Sequence, residues 1–361
     1  MTKIVATFEV SYTQILNKSG KLTGPLPAFA QDTEKLIELY RAMVLSRAFD
    51  AKAISLHRTG RLGTFPSAVG QEAVCVGTAA AMQETDVFLP SFREHGAQLI
   101  RGVTLVEQLL YWGGDERGSD FSGPKKDFPM AVPVGTHAPH AAGVALAMKL
   151  RGEERAAVCL MGDGATSRGD VYESWNMAGV WSLPVVYVIN NNQWAISLPR
   201  SAQSAAETLA QKAIAAGFPG EQVDGNDVIA VYDVVDKALK KARSGGGAQL
   251  IEAVTYRLSD HTTADDASRY RSDEEVSARW SEEPIARMRT YLTESSAWKK
   301  EDEESLLAEC AKTINAAVEE YLATKPLPPE SMFDYLYAEL PPAYAAQRAA
   351  AIAASGEDGD D

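Results

Sequence analysis

The chain has 361 residues, of which 45% are apolar and 23% are charged, so it can bury the core of one large domain or two smaller ones. The formal net charge of −14, without clustered lysine and arginine, argues against nucleic acid as a partner. No run of 18 apolar residues occurs, and the first ten residues lack the pattern of a secretory signal. We therefore expect a soluble, cytoplasmic protein with no membrane partner.

The three cysteines, Cys75, Cys159 and Cys310, are far apart in the sequence and form no CxxC pair or Cys/His cluster. This spacing indicates neither a disulfide framework nor a structural zinc site. Buried, reduced thiols are the expected state.

The first 31 residues are rich in turn-forming residues and are predicted to form an extended N-terminal arm. After Asp32 or Thr33, either of which can cap a helix, apolar residues recur at helical spacing until Gly60. The pattern predicts one long amphipathic helix.

Fully apolar strands then alternate with helices, which is typical of a parallel sheet covered on both faces. The strands are predicted at 156–161, 185–189 and 249–255, and the helices at 141–150, 170–181 and 228–243. The fold class is therefore α/β, a doubly wound parallel sheet, with its domain predicted at residues 32–275.

A charged helical region is predicted at residues 276–350, with helices at 273–292 and 301–324. The last segment, 351–361, ends in Glu357-Asp358-Gly359-Asp360-Asp361 and is expected to be a solvated, disordered tail.

Two polar motifs follow neighbouring strands of the predicted sheet. Gly162-Asp163-Gly164-Ala165 follows the first strand, and the second ends in Asn190-Asn191-Asn192. The carboxyl ends of adjacent parallel strands lie about 5 Å apart, so Asp163 and Asn192 are predicted to meet. Carboxylate and amide oxygens suit magnesium, and the glycines let the backbone approach a phosphate. The spacing predicts a metal-diphosphate site.

By itself, Gly-Asp-Gly is also an ordinary turn. Coupled through a crossover helix to a second apolar strand that ends in Asn-Asn, it resembles the thiamine-diphosphate signature of transketolase-like enzymes.

Other segments extend the resemblance across residues 35–290. They look like the E1 α subunit of pyruvate and branched-chain 2-oxo acid dehydrogenases, and they occur in that family's order: Gly70-Gln71-Glu72-Ala73, Ser91-Phe92-Arg93-Glu94-His95-Gly96, Gly135-Thr136-His137, Gln222-Val223-Asp224-Gly225-Asn226-Asp227, and Tyr256-Arg257 followed by His261-Thr262-Thr263-Ala264-Asp265-Asp266. The resemblance implies the thiamine-diphosphate-binding fold.

The resemblance also implies a set of site residues. Magnesium would be held by Asp163, Asn192 and the backbone carbonyl of Trp194. The cofactor would contact Phe92, Arg93, Val134, Gly162, Asp163, Gly164, Ala165, Asn192, Arg257 and His261. Phe92 departs from a tyrosine common in the family, so it can pack but cannot donate a hydroxyl to phosphate.

Two histidines are implied as active-site residues. From composition alone, His261 in its polar loop is equally well a surface histidine. The resemblance places it near the cofactor diphosphate, where a group with a pKa near neutrality can exchange a proton during acyl transfer to lipoamide. His95 matches a second position beside the active site. A potassium site near Thr136 is also implied, although His137 stands where branched-chain relatives have glutamine.

The implied function is oxidative decarboxylation of a 2-oxo acid with thiamine diphosphate and Mg²⁺, followed by reductive acylation of lipoamide on an E2 protein. Pyruvate is the expected substrate. A branched-chain 2-oxo acid, acetoin, or a non-catalytic phosphate-binding module remain alternatives. The implied partners are an E1 β subunit, in an α2β2 heterotetramer, and the lipoyl domain of E2.

Overall fold

The computed structural model describes residues 1–357, with side chains to residue 354. By internal contacts the chain divides into two compact units, residues 1–317 and 318–361. None of the helices in the described part of the chain combines the length and apolar character needed to cross a membrane.

The larger unit is built on a six-stranded, fully parallel sheet with the order β1-β7-β8-β4-β3-β2. Its strands are β1 (Tyr12–Thr13), β2 (Val87–Leu89), β3 (Ala157–Gly162), β4 (Val185–Asn191), β7 (Gly220–Asp224) and β8 (Gln249–Val254). A separate two-stranded hairpin consists of β5 (Trp194–Ala195) and β6 (Leu198–Pro199). The predicted α/β class and parallel sheet are confirmed.

Thirteen α-helices are described, and they include those predicted after Asp32 and at 141–150, 170–181, 228–243 and 301–324. They are α1 (Thr33–Arg58), α2 (Glu72–Ala80), α3 (His95–Arg101), α4 (Leu105–Trp112), α5 (His137–Arg151), α6 (Gly169–Val180), α7 (Arg200–Gln203), α8 (Lys212–Ala215), α9 (Val228–Arg243), α10 (Asp273–Arg279), α11 (Pro284–Glu294), α12 (Lys300–Ala323) and α13 (Ala345–Glu357).

The core sits on both sides of the central strands β3 and β4, whose residues are almost all buried. One set of alternating strand residues packs with α5 and α6 in a single apolar cluster that includes Trp175 and Tyr187. Helix α9 contacts β4, β7 and β8. Because both sets of strand side chains are covered, these strands carry no polar face, and this explains the apolar runs in the sequence.

The N-terminal segment is more than an extended arm. Tyr12 and Thr13 pair with Gln222 and Val223 and extend the sheet by one edge strand. The Asp227 carboxylate then accepts hydrogen bonds from the backbone N–H groups of Ile15 and Leu16, at 2.7 and 2.6 Å. Residues 12–16 are therefore part of the packed unit.

Two predictions near the C-terminus are wrong, one about a helix and one about the tail. The helix predicted at 273–292 is broken after Arg279, because Pro284 has no N–H group and restricts the residue before it. Glu283 caps the new helix by accepting from the N–H groups of Ile285 and Ala286. Residues 351–357, expected in the disordered tail, belong to α13. The remaining acidic residues, 358–361, lie outside the described residues.

Candidate functional site

A cavity of about 470 Å³ opens at the carboxyl ends of β3 and β4. The residues that line it come from distant parts of the chain: Thr64, Pro66, Gln71, Ser91, Phe92, Arg93, Glu94, Trp112, Val132, Val134, Gly135, His137, Gly162, Asp163, Gly164, Ala165, Asn190, Asn192, Trp194, Ala195, Ile196, His261 and Thr262. Most of the implied cofactor residues are among them, in the position where parallel sheets bind ligands.

Strand register brings the two predicted metal ligands to the same edge of the sheet. Gly162, the last residue of β3, is aligned with Asn190 in β4. Asp163 and Asn192 therefore follow the ends of neighbouring strands and both line the cavity. This is the arrangement that the sequence predicted for an oxygen-ligand site.

Asp163 is an acid in an environment that disfavours its charge. Its side chain is 2% exposed, and burial raises the pKa of Asp163 to about 6, although a hydrogen bond from Gln203 opposes that rise. A buried carboxylate is stabilised when a cation lies beside it. No group of three or more His, Cys, Asp or Glu side chains in the described residues forms a metal cluster. Any metal here would use the carboxylate with amide, carbonyl and water oxygens.

Asn192 and Trp194 occupy the sharp turn after β4. The Asn192 amide donates to Oε1 of Gln71 at 2.8 Å, and its oxygen accepts from the Trp194 N–H at 3.2 Å. The Trp194 indole donates to the hydroxyl of Tyr256 at 3.2 Å and thereby fixes the turn. Gln193 and Ile196 have positive φ angles of 72° and 55°. For the β-branched Ile196 this is a strained conformation, and such strain concentrates at functional sites.

The glycine turn after β3 is closely covered. Residues 163–167 form a 3₁₀ turn that leads into α6. A Cβ atom added to Gly164 would lie 2.7 Å from Cβ of Ala195, so a larger residue would push the hairpin away. Gly162, in contrast, has open space where a Cβ would be. The backbone is therefore open at Gly162, whereas Ala195 covers Gly164.

Arg93 and Arg257 are two buried guanidiniums beside this turn, with exposed fractions of 5% and 0%. Burial and the neighbouring Arg257 lower the pKa of Arg93 to about 10, and burial lowers the pKa of Arg257. Their hydrogen bonds in the described residues go to neutral acceptors, among them the carbonyls of Ser67, His261 and Ile196. Two adjacent cations without a carboxylate partner form a site for an anion. Arg257 does not itself line the cavity but contacts residues that do.

His261 lines the cavity and contacts both arginines. Its Nδ1 is within 3.0 Å of Nη2 of Arg93 and 3.4 Å of Nη1 of Arg257. Burial and the two cations lower the pKa of His261 to about 4, so the expectation of a pKa near neutrality is wrong. The ring meets Phe92 edge to face, with centroids 6.0 Å apart. Phe92 therefore packs against His261 and, without a hydroxyl group, donates no hydrogen bond from its side chain.

His95 lies apart from the cavity. Its ring stacks on Phe65 with centroids 4.7 Å apart, and Nε2 donates to the carbonyl of Pro66 at 3.1 Å. Burial lowers the pKa of His95 to about 4. It reaches the cavity only indirectly, through the backbone of Pro66 and the ring of Trp112, so its implied role at the active site stays a prediction.

The segment around Val134 and Thr136 forms one side of the cavity. Val134 is 43% exposed. The Thr136 hydroxyl donates to the carbonyl of Pro133 at 2.9 Å, and His137 turns its Nε2 into the sheet, toward the carbonyl of Leu160. These polar groups already have partners within the chain, so the implied potassium site gains no support from them.

The cavity also contains polar residues that our site prediction did not include. Gln71 and Glu94 line it, and Gln203 reaches Asp163 from α7. Gln71 and Glu94 stand inside the motifs that carry the resemblance, and this was the available signal. Gln203 lies on a four-residue helix 40 residues after Asp163, where no sequence pattern indicates it.

Comparison with known proteins gives a consistent family. The family model described as "Dehydrogenase E1 component" matches residues 40–330. The α subunit of 3-methyl-2-oxobutanoate dehydrogenase from Mycobacterium tuberculosis is 44% identical over 317 residues, covering 87% of this chain and 86% of its own. The pyruvate dehydrogenase E1 α subunit from Acholeplasma laidlawii is 42% identical, covering 90% and 95%. That from Staphylococcus aureus is 38% identical, covering 91% and 89%. The chain therefore belongs to the dehydrogenase E1 component family.

Proposed function

We propose that the chain is the α subunit of a pyruvate dehydrogenase E1 component, which decarboxylates pyruvate oxidatively and transfers the acyl group to lipoamide on E2. The proposal rests on one observation: a site for a cation and a site for an anion lie together at the same edge of the sheet. Asp163 and Asn192 offer oxygens to a cation, and Arg93 and Arg257 offer buried positive charge to an anion. A diphosphate together with a magnesium ion would satisfy both.

The residues fit this cofactor. Asp163, Asn192 and the carbonyl of Trp194 would hold magnesium, and the backbone of Gly162–Ala165 would meet the diphosphate together with Arg93 and Arg257. Planar guanidiniums can contact two phosphate oxygens at once. When bound, thiamine diphosphate supplies the carbon nucleophile for the 2-oxo group and accommodates the electrons left by carbon dioxide.

His261 would donate a hydrogen bond beside that cofactor. Its Nδ1 faces the two arginines, so Nε2 is the ring atom left to serve the cavity. We assign this nitrogen to hydrogen bonding during acyl transfer to lipoamide rather than to decarboxylation. Glu94 is less suited to this work, because Ser91 and the N–H of Arg93 both hold its carboxyl group.

The cavity needs a second chain. Among the described residues, the two carboxyl groups that line it, Asp163 and Glu94, are both engaged within this chain. Val132 and Ile196 line the cavity and are 49% and 56% exposed. Exposed apolar residues at a polar site are typical of a surface covered by a partner. We propose that an E1 β subunit covers it, in an α2β2 assembly that the lipoyl domain of E2 visits.

A branched-chain substrate is the second candidate, favoured by the 44% identity to an α subunit of 3-methyl-2-oxobutanoate dehydrogenase. Extra methyl groups change selectivity by only about 1–3 kcal/mol, so small differences in the cavity decide between them. The test is kcat/KM for pyruvate, 3-methyl-2-oxobutanoate and acetoin, measured with this chain, its β subunit and E2. Preference for pyruvate supports the proposal. Preference for another substrate replaces it, and cofactor binding without turnover of any would favour a phosphate-binding module.

A further inference from the structure

Each of the two side chains proposed as metal ligands forms a hydrogen bond with a glutamine that is not itself a proposed ligand. Nε2 of Gln203 donates to Oδ2 of Asp163 at 3.0 Å. Oε1 of Gln71 accepts from Nδ2 of Asn192 at 2.8 Å. The two glutamines come from α7 and from the start of α2, on separate parts of the chain. Both contacts are made by side chains, so each can be removed without changing a ligand.

Gln203 is held where it can reach the carboxylate. Its Nε2 also lies 3.4 Å from the carbonyl of Leu198, and the Arg200 N–H donates to the carbonyl of Gln193 at 2.8 Å. The hairpin that leads to Gln203 packs on the glycine turn, where Ala195 leaves no room for a side chain at Gly164. The amide therefore holds one oxygen of Asp163 and fixes the rotation of its carboxylate.

Gln71 is held just as firmly from the other side. Gly70 has a φ angle of +90°, and a Cβ atom there would lie 2.5 Å from the carbonyl of Tyr256. The Thr255 hydroxyl donates to the carbonyl of Gly70 at 2.6 Å. Gln71 is fully buried and lines the cavity, and its Nε2 has no hydrogen-bond partner in the described residues. A fixed acceptor at this point determines which end of the Asn192 amide is nitrogen, and so directs its oxygen.

We propose that Gln71 and Gln203 are positioning residues that orient Asn192 and Asp163 so that one oxygen of each faces the magnesium ion. The proposal rests on the proposed function, because it takes these two residues as metal ligands. Partners that orient metal ligands in this way contribute about 10–100-fold in metal affinity.

A glutamine that orients a metal ligand should affect Mg²⁺ and Ca²⁺ binding differently from one that only packs in the fold. Magnesium demands near-ideal octahedral geometry, whereas calcium accepts six to eight oxygens in flexible arrangements. Loss of a positioning glutamine should therefore weaken Mg²⁺ binding much more than Ca²⁺ binding. A glutamine that only supports the fold would affect both ions equally.

The test compares Gln203→Met and Gln71→Met, which keep the length of the side chain but remove its polar atoms. Mg²⁺ or Ca²⁺ is titrated calorimetrically into the metal-free α and β assembly at saturating thiamine diphosphate. We expect Mg²⁺ affinity to fall by about 10–100-fold in each variant. Ca²⁺ affinity should fall by roughly threefold or less, because its coordination tolerates displaced ligands.

Gln98→Met is the matched control. Gln98 is also buried, and its amide has no partner in the described residues, but it lies on α3 and does not line the cavity. The Mg²⁺ affinity of the Gln98→Met assembly should equal that of the wild type. Equal losses for both ions, or a similar loss in the control, would overturn the positioning role. Normal Mg²⁺ binding in both test variants would overturn this inference alone, whereas a wild type that binds no Mg²⁺ would overturn the proposed function as well.

Discussion

Nη2 of Arg93 lies 3.0 Å from Nδ1 of His261. A guanidinium can only donate, so Nδ1 must accept, and the proton of the neutral ring is on Nε2. Burial and the two arginines lower the pKa of His261 to about 4, which keeps the ring in this neutral form near pH 7. At neutral pH the site therefore contains a histidine that donates from Nε2.

His261→Ala should impair acyl transfer to lipoamide more than decarboxylation. The histidine lies beside the two arginines of the proposed diphosphate site and is not a proposed metal ligand, and a positioned donor of this kind contributes about 100-fold or more to its step. The comparison is the rate of E2 acylation against the rate of decarboxylation with an artificial electron acceptor. Equal losses in both assays would show that His261 acts in the earlier step.

Asp163→Ala and Asn192→Ala should each abolish magnesium-dependent binding of thiamine diphosphate without unfolding the chain. For Asp163 the fold should also gain stability, because the variant removes a carboxylate whose pKa burial raises to about 6. Calorimetry on the α and β assembly measures cofactor affinity. Asp170→Ala is the control, since Asp170 pairs with Arg168 outside the cavity. Near-normal affinity in both ligand variants would contradict the metal assignment.

Sequence patterns predicted the helices and strands whose buried residues recur at a regular spacing. The helix expected at 228–243 was found at Val228–Arg243, because its apolar residues form one continuous face. Strand β7 was not predicted. It lies next to the edge strand β1 and contains the polar residues Glu221 and Gln222, so it lacks the apolar run that indicated the buried strands. The break before Pro284 had a clear signal, which the strong helical pattern on both sides outweighed.

The contacts within the candidate site also differ in whether the sequence could predict them. Asp163 and Asn192 were predicted to meet from strand register, because a parallel sheet aligns strand ends without further information. The approach of Arg93 to Arg257 depends on loops 164 residues apart, and only resemblance to a family indicated it. The contact from Gln203 depends on an irregular hairpin with two strained residues, which no period in the sequence describes.

Arg93→Met should weaken thiamine-diphosphate binding and remove the stabilisation that the cofactor gives. For the wild-type assembly, cofactor at 100 times its Kd should raise the free energy of unfolding by about 2.7 kcal/mol. In the variant, Arg257 no longer has the second guanidinium of Arg93 beside it, so the same cofactor concentration should give a much smaller shift in Tm. Arg168→Ala, on the exposed side of the turn, should respond like the wild type. An equal shift in Arg93→Met would exclude Arg93 from the diphosphate site.

His95→Gln should make the chain less sensitive to acid. Burial lowers the pKa of His95 to about 4 from an ordinary value of 6.5, so the unfolded chain takes up a proton more readily between these values. The contribution of His95 to stability is complete above pH 6.5 and is lost as pH falls toward 4, by about 2–3 kcal/mol. Glutamine can still donate to Pro66 but does not titrate.

Urea unfolding between pH 4 and 7 measures this difference. The gap in unfolding free energy between the variant and the wild type should change steadily below pH 6.5 and stay constant above it. His140→Gln is the control, because His140 is exposed to solvent. A gap independent of pH would mean that His95 is not neutralised by burial.

The chain alone should be catalytically silent and should become active only with a β subunit. A bound thiamine cofactor would need a carboxylate to relay a proton, and the two carboxyl groups that line this cavity in the described residues, Asp163 and Glu94, are held by Gln203 and Ser91. The exposed Val132 and Ile196 should be covered by the partner that brings the missing group. Decarboxylation of pyruvate should therefore rise as β is titrated in and should saturate at one β per α. A chain that decarboxylates equally fast without β would contain a complete site, and the split arrangement would be wrong.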